Sequence, residues 1–285
     1  MNQYRKPDFF IVGAPKCGTT SMYYYLRQHP QIFMPDCKEP HYFGKDLQWN
    51  SDEFINKENE YLNLFKYANP DQKLGEASTF YLYSKSAAWE IKNYNPNAKI
   101  IIMLRNPIDF LHSLHSQLLF SGNEDEHNFE IALDLEKERM LGNKLPKNID
   151  MIDRIFYLEH ALRIPGQIRS YIDIFGRKNI AVIILDDLHA KPNKCYLKIL
   201  KFLNVDTNIT LEYSIHNSNK SVRSFWIRNF IKRHHNNLSK LRSKYFKQPI
   251  GVINYLMKIN TKESPRQNIS DDFRNKLMNK LNPSI

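Results

Sequence analysis

Apolar positions along the chain gather into short dense runs, separated by longer stretches with helical spacing. DFFIVG at 8–13, KIIIML at 99–104 and NIAVIIL at 179–185 are apolar at consecutive positions, the pattern of strands buried on both faces. SMYYYLRQH follows the first run with apolar residues at helical intervals, and 107–120, 156–175 and 192–203 repeat that spacing. Pro107 stands where the first turn of one of these helices would begin. Strands apolar along their length, alternating with helices, predict an α/β fold with a parallel sheet flanked by helices on both faces. Toward the C-terminus the pattern changes. SFWIRNFIKRHHNNLSKL is amphipathic at helical spacing, and 266–282 reads as a last polar helix.

The chain has 285 residues, 42% of them hydrophobic, enough for one large domain or two small ones. It carries no Pro/Gly/Ser linker, internal repeat or low-complexity run, so one domain over 1–285 is expected, with a basic, mainly helical C-terminal third from about residue 213. Its longest apolar runs are too short to cross a bilayer, and MNQYRKPDFF holds no apolar stretch of signal-peptide length. A cytoplasmic protein with no integral membrane segment is expected. Charge narrows the partners. Forty-one Lys and Arg against 30 Asp and Glu give +11, and Tyr213 to Lys262 contains no Asp or Glu. That bias favours an anionic ligand, while no nucleic-acid-binding motif accompanies it, so no nucleic-acid partner is expected. Cys17, Cys37 and Cys195 have no metal-ligand spacing and read as free thiols, with no metal required.

The first apolar run ends in a turn rich in chemistry. Gly13 and Gly18 bracket Lys16, and Thr19, Thr20 and Ser21 open the helix that follows. A glycine turn from strand to helix presents backbone N–H groups to an anion. The nucleotide pattern GxxxxGK[ST] has its two glycines here, but position 19 is Thr and the lysine lies inside the loop. A P-loop nucleotide kinase, the alternative from a different class, therefore lacks its phosphate lysine.

PKCGTTS at 15–21 resembles the 5′-phosphosulfate loop of sulfotransferases that use 3′-phosphoadenosine 5′-phosphosulfate (PAPS), whose form is PK(S/C/G)GTT(S/T). The resemblance implies the P-loop-like sulfotransferase fold with PAPS as cosubstrate. Lys16 would neutralise the departing 5′-phosphate, and Cys17, Gly18, Thr19, Thr20 and Ser21 would line its site. Cys17 is either a small neutral filler or a reactive thiol. RNPIDFLHS resembles the family's RxPxxxxxS, which implies that Arg105 and Ser113 bind the 3′-phosphate. Tyr157 falls where many relatives begin a helix with an adenine-side tyrosine, and a core tyrosine fits there equally well. Leu185 replaces an adenine-contacting tyrosine of cytosolic members. HNSNKSVRSFWIRNF resembles the closing segment of bacterial members and implies a nucleotide contact at Arg223. The resemblance runs from about residue 8 to 230.

KEPHYFGKD at 38–46 resembles the KEPHFF segment of carbohydrate and bacterial members, where the glutamate is the general base. That maps the base to Glu39, with His41 second and His112 and His115 third. Charges at Lys38 and Lys16 would lower the proton affinity of Glu39, and burial against Tyr42 and Phe43 would raise it. GEASTFYLY at 75–83 has Ala77 where carbohydrate members often carry a lysine, which counts against a glycosaminoglycan-type site and leaves Glu76 as a second carboxylate at the acceptor end. The acidic loop SGNEDEHNFE at 121–130 is a candidate for a cationic acceptor. The expected acceptor is a hydroxyl or amine of a small-molecule natural product, with a carbohydrate or lipid as the alternative.

Overall fold

The computed structural model describes residues 5–47, 54–147, 149, 155–209, 213, 220–225, 227–228, 259–264, 266 and 268–282. Most of the amphipathic run SFWIRNFIKRHHNNLSKL, and with it most of the basic C-terminal third, lies outside the described residues. Two compact units emerge where one domain is expected: Met1–Asn106 with Arg163–His216, and Pro107–Leu162 with Asn217–Ile285. The chain crosses between them three times, after Asn106, after Leu162 and after His216.

The first unit is built on five strands, β1 (Phe9–Gly13), β2 (Ile32–Phe33), β3 (Lys73–Ala77), β4 (Lys99–Leu104) and β5 (Ile180–Ile184), in the order β2-β3-β1-β4-β5. All four pairings are parallel. The three expected strands form its centre and one edge, and every residue of β1 is buried. Helices α1 (Thr19–Arg27), α2 (Glu58–Asn63), α3 (Ala87–Tyr94), α8 (Leu185–Ala190) and α9 (Pro192–Leu203) flank the sheet, with α7 (Tyr157–Phe175) joining from Arg163 onward. In α9, Cys195, Tyr196, Ile199, Leu200 and Leu203 are buried, the one-sided stripe that helical spacing predicts.

From β1 the chain goes to one side for β2 and β3, then to the other for β4 and β5. The strand order therefore reverses beside β1, and the segments after β1, β3 and β4 share the carboxyl edge of the sheet, where open α/β folds bind ligands. β3 was not expected: KLGEA is short and half polar, and only the structure gives its interior glycine a reason. A Cβ on Gly75 would collide with the Phe9 ring and the Met34 sulfur.

The second unit contains α4 (Pro107–Ser121), α5 (Phe129–Asp134), α6 (Glu136–Met140), the antiparallel pair β6 (Lys220–Val222) and β7 (Thr261–Glu263), and α10 (Asp271–Leu281). α4 begins at Pro107 as expected. α10 lies within the expected last helix, capped by Ser270 Oγ, which accepts from Phe273 N at 3.2 Å. The β6–β7 pair was not foreseen in a stretch read as helical.

Candidate active site

The turn after β1 is shaped by close packing. Leu82 N donates to Val12 O at 2.7 Å and Ala14 N to Met103 O at 2.7 Å, tying the turn to its neighbours on both sides. Lys16 and Gly18 follow with φ of 61° and 81°. Gly18 is the N-cap of α1 and offers no side-chain cap, so the positive end of the helix dipole stands at this turn. A Cβ on Gly18 would displace the end of the Leu185 side chain, 2.5 Å away, and the positive φ is what favours glycine here.

Cys17 is buried, and burial pushes its thiol up to about 12. Arg105 and Lys16 pull it down and Asp186 pushes it up, so these charges converge on the turn. Of the two readings the structure takes the inert one: Cys17 is a neutral filler. Arg105 follows the last residue of β4. Its Nε is buried and has no hydrogen-bond partner among the described residues, a cost that an anion at this edge would remove. The helix N-terminus, Lys16 and the unsatisfied Arg105 Nε–H together make this edge suited to an anion.

The segment after Cys37 is held against β3 and the residues beyond it. Glu39 N donates to Ala77 O at 2.9 Å, His41 N to Ser78 Oγ at 3.2 Å, and Phe43 N to Tyr81 Oη at 3.1 Å. Glu39 and His41 take φ of 63° and 48°, conformations that cost non-glycine residues about 1–3 kcal/mol each. The Glu39 carboxylate pairs with Lys38 Nζ through Oε1, and its Oε2 lies 3.4 Å from His41 Nε2. Burial pushes the Glu39 carboxyl up, but the His41 contact and the Lys38 ammonium outweigh it and hold it at about 2. Of the two opposed effects on this carboxyl, the hydrogen bonds and charges together win. His41 is itself buried, edge-on to the Phe54 ring at 4.7 Å.

Glu76, the candidate second carboxylate at the acceptor end, has no exposure to solvent. It is fully buried at the end of β3, and its Oε2 accepts from Tyr61 Oη at 2.9 Å and Tyr81 Oη at 3.1 Å.

The remaining candidates lie in the second unit. Ser113 is buried in α4, and its Oγ accepts from Arg266 Nη2 at 3.1 Å, a partner that nothing in the sequence pointed to. Tyr157 corrects the adenine reading. It is fully buried, and its hydroxyl donates to Glu124 Oε2 at 2.7 Å, beside a bidentate Arg139–Glu124 pair whose two bonds are both 2.7 Å. Its ring has no face open to a base. The same network removes Glu124 from any cationic acceptor, since the acidic loop spends it internally. His112 packs on Phe129 with ring centres 4.9 Å apart, and His115 Nε2 lies 2.8 Å from Glu126 O, so both histidines are structural. Arg223 has an exposed side chain, with its backbone N bonded to Asn260 O at 2.6 Å. Among the described residues no group of three or more His, Cys, Asp or Glu is gathered as a metal would need. No described helix is long and apolar enough to cross a membrane.

Comparison with known proteins gives concordant matches. A family profile described as the sulfotransferase domain matches residues 6–248. The crystal structure of a sulfotransferase from Alicyclobacillus acidocaldarius superposes with a TM-score of 0.65 at 29% identity, covering 84% of this chain and 95% of that one. Human carbohydrate sulfotransferase 15 is 27% identical over 252 residues, covering 70% of this chain and 44% of that protein. The membrane-associated sulfotransferase kil1 of Dictyostelium discoideum is 35% identical over 108 residues, covering 36% of this chain and 21% of that protein. The chain thus spans less than half the length of these two relatives.

Proposed function

The chain belongs to the sulfotransferase domain family, and from that premise we propose that it transfers a sulfuryl group from PAPS to a hydroxyl or amine of a small-molecule acceptor. The observation that carries this reading is that Lys16, Glu39 and His41 are three of the five described non-glycine residues with positive φ, and all three belong to segments at the carboxyl edge of one sheet. Backbone strain of this kind persists where the fold over-determines it and concentrates at functional sites.

PAPS supplies an activated sulfuryl group with a phosphate as its leaving group. The N–H groups of the first turn of α1, with Thr19, Thr20 and Ser21, hold the 5′-phosphate. Arg105 and Ser113 serve the 3′-phosphate, and Arg223 contacts the nucleotide. Lys16 neutralises the charge that develops on the bridging oxygen as the S–O bond breaks. Glu39 takes the proton of the acceptor as the new bond to sulfur forms, and His41 orients Glu39. The ionised state of Glu39 at neutral pH is the one a base requires.

A sugar hydroxyl is the second reading, favoured by the similarity to carbohydrate sulfotransferase 15 over 70% of this chain. The test has two arms. Calorimetric titration with 3′,5′-diphosphoadenosine and AMP reads the two anion sites, and PAPS turnover against panels of phenols, amines, alcohols and oligosaccharides reads the acceptor. Lys16→Ala and Glu39→Gln should each lower turnover by roughly 10²–10⁴-fold, the latter without loss of nucleotide affinity. Equal binding of the diphosphate and AMP, or full turnover by Glu39→Gln, would overturn the assignment.

A further inference from the structure

A fully buried carboxyl beside a candidate base calls for a reason, because burying one without a cation costs the fold stability. Glu76 is fully buried and forms no ion pair with any described residue. Its Oε2 instead accepts the hydroxyls of Tyr61 and Tyr81. Tyr81 Oη in turn accepts from Phe43 N, so Glu76 fixes the tyrosine that holds the far end of the loop carrying Glu39. Alternate residues of that loop, 39, 41 and 43, donate their backbone N–H groups to residues 77, 78 and 81, all within five positions after Glu76 in the chain. Tyr171 of α7 braces the same segment, its hydroxyl donating to Tyr81 O at 3.0 Å.

We infer that Glu76 is a positioning residue for Glu39: by holding Tyr81 it fixes the loop that carries the base, and by its own negative charge it strengthens the base as a proton acceptor. This deepens the proposed function and rests on Glu39 being the base. Burial lifts the Glu76 carboxyl to about 7, and the Glu39 carboxylate adds in the same direction. That coupling is mutual: once Glu76 ionises, its charge raises the proton affinity of Glu39, which Lys38 and His41 otherwise hold down. The titratable groups around Glu76 are Tyr61 from α2, Tyr81 beyond β3, Tyr171 from α7, and Cys37 and Glu39 from the loop. Burial pushes the three tyrosines well above their ordinary value, so they stay neutral and titrate outside the window where Glu76 does.

Two measurements on the full chain test this. Labelling the glutamate side-chain carboxyl carbons with carbon-13 lets NMR follow Glu39 from about pH 5 to about pH 9. The wild type should show a step in the Glu39 signal where Glu76 titrates, and Glu76→Gln, which keeps the shape and the tyrosine contacts, should lose it. Hydrolysis of PAPS, with water as the acceptor, gives the second readout. Wild-type kcat should rise through about pH 7, and Glu76→Gln should be flat and roughly three- to tenfold slower above it. Affinity for 3′,5′-diphosphoadenosine should not change. Tyr81→Phe guards against a folding defect in the first variant; it should slow hydrolysis while keeping the step in the Glu39 signal. A Gln variant that keeps the wild-type rise in kcat, or a wild-type Glu39 signal with no step, overturns the inference and leaves the proposed base in place. A wild type that consumes no PAPS, or a Glu39→Gln variant with full hydrolysis, instead removes the base that Glu76 would position.

Discussion

Glu39 and Glu76 lie close together yet are pushed in opposite directions, and their effects on stability have opposite signs. Glu39 is held at about 2, below the ordinary 4.5, so the stability it contributes is present above about pH 4.5 and is lost as pH falls toward 2. Glu76 is lifted from 4.5 to about 7, so the folded state binds its proton more tightly than the unfolded chain does. Its contribution is complete below about pH 4.5 and is lost as pH rises through 7. Chemical denaturation at pH 5 and pH 8 should therefore show Glu76→Gln gaining on the wild type by roughly 2–3 kcal/mol over that interval. A constant difference between the two proteins would mean that Glu76 is already ionised at the lower pH. The sequence held half of this pair. KEPHYF marks Glu39 because the motif is local. The burial of Glu76 depends on Tyr61 and Tyr81, which reach it from a separate helix and from beyond its own strand, and no spacing in the sequence encodes that enclosure.

At the scale of elements, the sequence was clearest where packing is strongest. β1, β4 and β5, and helices α4, α7 and α9, appear within a residue or two of the expected bounds, because buried strands and one-sided helices write their periods into the chain. β3 escaped, although Ala77 at its end accepts the backbone N–H of Glu39, because a five-residue strand containing a glycine and a buried glutamate has no such period. The start of α1 supplies the sharpest test. Gly18 combines φ of 81° with a neighbour 2.5 Å from any Cβ, so Gly18→Ala should destabilise the fold by roughly 1–3 kcal/mol and weaken diphosphate binding by moving the N–H groups of the first turn. Thermal denaturation with and without the nucleotide separates the two effects. In α4, Ser113 is held by Arg266, one turn on from Asp109, which pairs with Arg274 at 2.8 Å. Ser113→Ala should cost roughly tenfold or more in affinity for 3′,5′-diphosphoadenosine and little for AMP, the difference expected when a donor to a charged phosphate is lost. Similar losses for both nucleotides would place Ser113 outside the 3′-phosphate site.

Charge is the property of the whole molecule that bears on its ligands. An excess of 11 positive charges attracts anions from a distance, and that attraction is screened over about 10 Å at 0.1 M salt. The nucleotide carries two phosphate groups under either reading, so its affinity should fall as ionic strength rises. The acceptor separates the readings. A neutral small molecule gains nothing from the long-range field, and its KM should stay flat across the salt series once PAPS is saturating. An anionic oligosaccharide engages several cations at once and displaces their counterions, so its KM should climb steeply, as polyanion binding does. For the small-molecule reading we expect a flat acceptor KM alongside a salt-sensitive nucleotide affinity. A steep acceptor KM would transfer the proposal to an acidic glycan, and the basic stretch from Tyr213 to Lys262 would then be the first place to neutralise lysines and watch the slope fall.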